Sequence, residues 1–134
     1  MVCIYCGHKT SVANSRSSVK SKSTWRRRSC KSCNAVFTTR EFVDLESSLR
    51  VVTPLNTLEP FLRDKLFVSL FLSLSHRKTA LTDATGLTDT LLTQIIAHNN
   101  KGIVTSKEIA STAYSTLERF DKISAVYYQA HHSN

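Results

Sequence analysis

All four cysteines of the chain lie in its first quarter, as Cys3-Ile-Tyr-Cys6 and Cys30-Lys-Ser-Cys33, and this pairing limits how the segment can fold more than any other feature. Each Cys-x-x-Cys forms a tight turn whose backbone amides face the sulfurs and set two thiolates on one metal at about 2.3 Å. Two such knuckles complete a tetrahedron, and the metal expected is zinc. The 23 residues between Cys6 and Cys30 exceed the roughly 15 to 20 usual between such pairs, and they suit a ribbon of β-hairpins. Gly7 after Cys6 and Asn34 after Cys33 are the residue types that best tolerate the positive φ a knuckle needs there. The competing assignment is a pair of disulfides or unrelated buried cysteines. His8 is expected at the surface, because four thiolates already fill the metal's shell. That closed shell leaves no position for an activated water, so the metal is a structural staple and not a hydrolytic centre.

Charge separates this segment from the rest. Residues 1–40 hold nine Lys or Arg and no Asp or Glu, whereas residues 41–134 hold nine basic and ten acidic residues. A head of +9 on a body of −1 favours a polyanionic partner, nucleic acid above all, over a neutral ligand. The basic residues are interleaved with hydroxyls in "VANSRSSVKSKSTWRRRS", Val12 to Ser29, and "NAVFTTREF", Asn34 to Phe42. Arginine forks grip phosphates bidentately, and Ser and Thr hydroxyls add neutral phosphate contacts. The contact candidates are Arg16, Trp25, Arg26, Arg27, Arg28, Lys31, Thr38, Thr39 and Arg40. Strand alternation sends Arg26 and Arg28 to one face and Arg27 to the other. Trp25 and Phe37 are expected to form the small core of the ribbon, with base stacking as the alternative role for Trp25.

From Phe42 onward the pattern changes to a linker, a short hairpin around Thr53-Pro54-Leu55-Asn56, and then helices. The first helix follows Pro60, with an apolar stripe of Phe61, Leu62, Leu66, Leu70 and Leu74. A second, in "TGLTDTLLTQIIAHNN", uses Leu87, Leu91, Ile95 and Ile96 and stops at Asn99-Asn100. Thr105 and Glu108 have capping-box spacing, so a third begins there and buries Ile109, Ala113, Leu117 and Phe120. A fourth runs from Asp121 through Tyr128. His131 and His132 are expected in a frayed, solvated tail, and Lys65 is a lone cation in the amphipathic first helix, which composition leaves open between a solvent-facing and a functional role. The most apolar run, Leu66 to Ser75, is half the roughly 20 residues needed to span a bilayer, and the N-terminus has no secretory-signal pattern. No membrane partner is expected, and the location expected is the cytoplasm, where thiols stay reduced. Gly-rich phosphate loops and nucleophile motifs are absent from the sequence, so no enzymatic activity is expected.

The pattern Cys3-x-x-Cys6, Asn14-Ser15-Arg16, Arg26-Arg27-Arg28-x-Cys30-x-x-Cys33 and Phe37-Thr38-Thr39-x-Glu41 resembles the zinc ribbon of the NrdR family of bacterial transcriptional repressors. The resemblance covers residues 1–46 and implies that Cys3, Cys6, Cys30 and Cys33 bind Zn(2+) and that the ribbon binds double-stranded DNA, with Arg26, Arg27 and Arg28 leading. Asn14 stands where the family typically has Asp. Residues 47–134 resemble the family's ATP-cone through Arg50 to Leu66, which implies a mostly α-helical domain with a short N-terminal β-hairpin that sets a homo-oligomeric state. The family's turn carries Lys-Arg-Asp-Gly, however, and this chain has Thr53-Pro54-Leu55-Asn56. Two cations and one amide hydrogen are gone, leaving Lys65 as the phosphate contact. The cone-like domain is therefore expected to keep its fold and to have lost or greatly weakened ATP and dATP binding. Two alternatives remain: a zinc-ribbon adaptor for RNA or protein without operator specificity, and a nucleotide sensor with a rearranged site.

Overall fold

A computed structural model of the chain describes residues 1–99 and 101–132 and divides into two compact units, Met1–Val43 and Asp44–Asn134. The first is a three-stranded antiparallel sheet in the order β1-β2-β3, with β1 at Ser11–Ser18, β2 at Ser23–Ser29 and β3 at Val36–Glu41. The two knuckles precede β1 and separate β2 from β3. Apolar residues are too few for the sheet to bury a conventional core. Cys3, Cys30 and Phe37 are its buried residues, with Cys6 and Ala35 packed against them. Trp25 does not join them, contrary to the expectation from sequence, because it lies on the opposite side of β2 and is half-buried.

The second unit begins with a short helix α1, Leu45–Ser48, capped by the Asp44 side chain. Strands β4 (Arg50–Val52) and β5 (Leu58–Pro60) form the expected hairpin. Its turn is closed by hydrogen bonds from the Thr53 amide to the Thr57 carbonyl (2.9 Å) and from the Asn56 amide to the Thr53 carbonyl (2.9 Å), with Asn56 at φ +58°. Helices α2 (Arg63–Ser73), α3 (Ala80–His98), α4 (Ser106–Phe120) and α5 (Lys122–His132) follow. One core joins Phe61, Leu66, Leu70, Leu74, Leu87, Leu91, Ile95, Ala113 and Leu117. The helical spacing of these residues is what builds it. The capping box of α4 is present in full: the Thr105 hydroxyl accepts from the Glu108 amide at 3.1 Å, and Glu108 accepts from the Thr105 amide at 2.7 Å.

Several expectations are corrected. Leu62 is the N-cap of α2 and is exposed, so it leaves the apolar stripe. Phe120 is exposed at the end of α4, where the Arg77 guanidinium lies 4.9 Å from its ring centre. Helix α3 starts at Ala80, ahead of Gly86. Its threonines are accommodated by bonding back along the helix, as Thr88 does to the Ala84 carbonyl at 2.6 Å. Asn99 is the C-cap of α3, while Asn100 lies outside the described residues. Helix α5 continues through His132, whose Nε2 is 2.6 Å from the Ser69 hydroxyl and whose ring lies 4.2 Å from that of Tyr128, so the pair His131-His132 is helical and not frayed. Strand β6, Ile103–Thr105, pairs parallel to β4, an element with no counterpart among the expectations from sequence. Gly102, at φ +68°, turns the chain into it, and a Cβ there would come within 3.1 Å of the Ser48 carbonyl.

Asp121 ties the helix ends together. Its Oδ2 accepts from His76 Nε2 (3.1 Å) and Arg77 Nη1 (3.0 Å), beyond α2, while Oδ1 accepts from the Ile123 amide (2.9 Å) in the first turn of α5. Burial pushes its carboxyl up, but these hydrogen bonds outweigh burial and hold it at about 2. The folded value lies below the unfolded one, about 3.9, so this contribution is present above that pH and fades as pH falls towards 2. Asp121→Ala should cost about 1 kcal/mol at neutral pH from removal of the cap alone. Urea unfolding followed by helical signal should show the gap between wild type and variant closing near pH 2. A gap of equal size at both pH values would remove this role from Asp121.

Candidate metal centre and nucleic-acid interface

The knuckles form because their backbones turn where the sequence permits it. Gly7 is at φ +74° and Asn34 at φ +58°. The Gly7 amide donates to the Cys3 carbonyl at 3.0 Å, and the Cys30 amide to the Ala35 carbonyl at 2.9 Å. The sulfurs interleave: Cys3 Sγ is 3.6 Å from Cys33 Sγ, Cys6 Sγ is 3.5 Å from Cys30 Sγ, and all four lie within 4.8 Å of one another. A tetrahedron with metal–sulfur bonds of about 2.3 Å has edges of about 3.8 Å, while a disulfide needs about 2.05 Å. The four cysteines are free thiols arranged as a metal cage, which removes the disulfide alternative. His8 is exposed and turned away, its Nδ1 being 3.1 Å from the Cys6 carbonyl oxygen.

Electrostatics point the same way. The Tyr5 amide, followed by that of Cys6, lowers Cys3 against the effect of burial. The Cys33 amide, resisted by burial and helped by the Ser32 amide, brings Cys30 down to about 7. The Ala35 amide pulls Cys33 down too, yet the crowding sulfurs of Cys6, Cys3 and Cys30, together with burial, push it up to about 12. The backbone amides thus favour the thiolates of Cys3 and Cys30, while the neighbouring sulfurs oppose that of Cys33. A divalent cation supplies the missing charge, and an all-sulfur tetrahedral set suits Zn(2+).

The sheet carries the basic residues, and its register assigns each to a face. Directly opposed residues of an antiparallel pair share a face. Arg16, Trp25 and Arg40 form one cross-strand row, and Asn14, Arg27 and Thr38 form the next, on the same face. Arg26 and Arg28 point to the other face with Phe37, Thr39 and Glu41. There Arg26 is ion-paired to Glu41, and Arg28 Nε donates to the Thr39 hydroxyl at 3.1 Å. Lys31 is exposed within the second knuckle. The reading from sequence missed the pairings made by Glu41 and Thr39. Alternation along β3 was the available signal, but it needed the β2–β3 register to become usable.

In the second unit, a groove of about 520 Å³ lies between the β4–β5 hairpin and helices α2, α4 and α5. Pro54, Leu55, Phe61 and Ile109 give it apolar walls. Lys65 lines it, with its Nζ 3.8 Å from Glu59 Oε2, so the charge of the lysine is partly answered within the groove. His132 closes one end, and burial, with His131 nearby, pushes its ring down towards the neutral form.

A family model described as "Transcriptional repressor NrdR-like, N-terminal domain" matches residues 1–41. The chain is 35% identical over 127 residues to "Transcriptional repressor NrdR" of Streptococcus thermophilus (strain CNRZ 1066), an alignment spanning 94% of this chain and 79% of that protein. To the protein of the same name from Streptococcus pneumoniae (strain Hungary19A-6) it is 33% identical over 127 residues, 94% of this chain and 80% of that one. The chain belongs to the NrdR family of transcriptional repressors.

That family is regulatory and not enzymatic, in keeping with a metal cage that has no open position. A β-rich zinc ribbon followed by a mostly helical, ATP-cone-like unit is the architecture observed in this NrdR-type chain. Among the described residues no helix is long and apolar enough to cross a membrane. The ribbon's stability should depend on its metal, because Cys3, Cys30 and Phe37 are all that its protein core contains. Purified protein should hold one zinc ion, and chelation should abolish the ribbon's strand signals while the helical spectrum of the second unit persists. A ribbon unchanged after metal removal would refute the assignment of Cys3, Cys6, Cys30 and Cys33 as ligands.

Proposed function

We propose that this NrdR-family chain represses transcription in the cytoplasm by binding double-stranded promoter DNA through a zinc-held ribbon, residues 1–46. The observation that carries the reading is the ribbon's charge: nine cations within forty residues and no acid among them, on a sheet anchored at the four-cysteine cage. Uncompensated charge of this density repels itself unless a polyanion answers it, and releasing counterions from DNA drives such binding. Of the candidates named from sequence, Arg16, Trp25, Arg27, Lys31, Thr38 and Arg40 are the proposed DNA contacts, whereas Arg26, Arg28 and Thr39 are engaged among themselves and with Glu41 on the reverse side of the sheet. A single ribbon offers too few contacts to select one site against a genome of competitors. Residues 47–134 therefore act as a cone-like platform that holds two or more copies at fixed spacing.

Nucleotide control is proposed to be lost or greatly weakened. A triphosphate brings about four negative charges and needs cations or free amides against them. Thr53-Pro54-Leu55-Asn56 offers no cation, Pro54 offers no amide hydrogen, and Lys65 already faces Glu59. Calorimetry with ATP and with dATP should give no heat at micromolar ligand, and micromolar binding of either would restore nucleotide sensing. For DNA, selection from random duplexes should yield a shared motif, with affinity falling steeply as salt rises. If no motif emerges and RNA competes equally, the repressor reading gives way to an RNA-binding adaptor.

A further inference from the structure

The two faces of the ribbon sheet differ in chemistry. The face holding Arg26 and Arg28 also holds Phe37, buried against the cysteines, and Glu41, the one acidic residue of the first unit. Both arginines are engaged there, one by Glu41 and the other by Thr39. The opposite face has no carboxylate. Among the described residues, no hydrogen bond or ion pair holds the side chains of Arg16, Trp25, Arg27 or Arg40.

Spacing then distinguishes these residues. Arg16, Trp25 and Arg40 form one row across three strands, so the outer two stand about 10 Å apart, two inter-strand steps of about 4.8 Å. Arg27 sits on the central strand two residues from Trp25, about 7 Å further along. The major groove of DNA is about 12 Å wide and presents guanine O6 and N7 side by side, the pair of acceptors that an arginine fork fits. Phosphate walls flank it on both sides.

We infer that the open face, and not the triple arginine as a block, docks over the major groove of duplex DNA. Arg16 and Arg40 on the outer strands grip phosphates on opposite walls. Arg27 on the central strand reads a guanine, and Trp25 beside it lies against the neighbouring base pair. Arg26 and Arg28 are positioning residues: they bind β3 to β2 on the reverse side and keep the sheet flat enough for Arg27 to reach in. This assignment rests on the proposal that the ribbon binds duplex DNA, and it sharpens which arginine carries sequence information.

The test uses the full zinc-loaded chain, with zinc content measured for every variant. Wild type first selects its motif from random duplexes, and affinity is then followed against salt. Arg27→Ala, and also Arg27→Lys, should lose roughly tenfold or more of the preference for one G·C pair, because neither offers the bidentate fork. The double variant Arg16→Ala/Arg40→Ala should keep the motif and flatten the salt dependence by up to about 1.8 in slope, about 0.9 for each phosphate no longer neutralised. Arg26→Ala and Arg28→Ala, at unchanged zinc content, should stay within about threefold of wild type and keep the motif, below the penalty expected when a base goes unread. Should either of these last two relax the motif as Arg27→Ala does, or should Arg27→Ala leave the motif intact, the inference is wrong while DNA binding stands. A wild-type chain that selects no motif overturns both.

Discussion

Four thiolates cannot share a space within 4.8 Å unless a cation lies among them, and the first unit depends on that constraint. Its protein core amounts to Cys3, Cys30 and Phe37, far too little apolar surface to offset the conformational entropy of ordering about forty residues. The metal cage compensates by joining the chain before β1 to the loop between β2 and β3. The basic surface inherits its rigidity from this join. Arginines spread over a floppy loop would bear the ordering cost at every encounter with a polyanion; mounted on a stapled sheet, they are already in place.

The sheet also sorts the charges. Arg26, Arg27 and Arg28 are adjacent in sequence, and a reading by composition treats them as one patch. The alternation of β2 divides them, placing Arg26 and Arg28 beside Glu41 and Thr39 and aligning Arg27 with Arg16 and Arg40 from the flanking strands. Residues far apart in the chain thereby become one surface. Trp25 belongs to that surface and not to the core, for the same geometric reason.

The second unit reverses the balance: packing is ample and the polar network at its helix ends is specific. Asp121 draws His76, Arg77 and the start of α5 into one knot, which ties the segment after α2 to the junction of α4 and α5. The groove beneath that hairpin has apolar walls and nearly balanced charge, a chemistry poorly matched to a triphosphate.

The knuckles, the hairpin turn, the capping box at Thr105 and Glu108, and most of the helical core are legible in the order of residues, because each is encoded by spacing within a few positions. Leu66, Leu70 and Leu74 could be placed by periodicity alone, and Gly7 and Asn34 by the φ they permit. The rest depends on contacts between distant parts of the chain. Strand β6 is three residues long, too short to show alternation, and exists because β4 offers it an edge. Leu62 and Phe120 match the helical period yet fall at helix ends, where the buried stripe has run out. His132 reads as tail by sequence, and only Ser69 and Tyr128, meeting it across the bundle, make it part of a helix. The division of the three arginines required the register between strands, a relation that no single stretch of sequence contains.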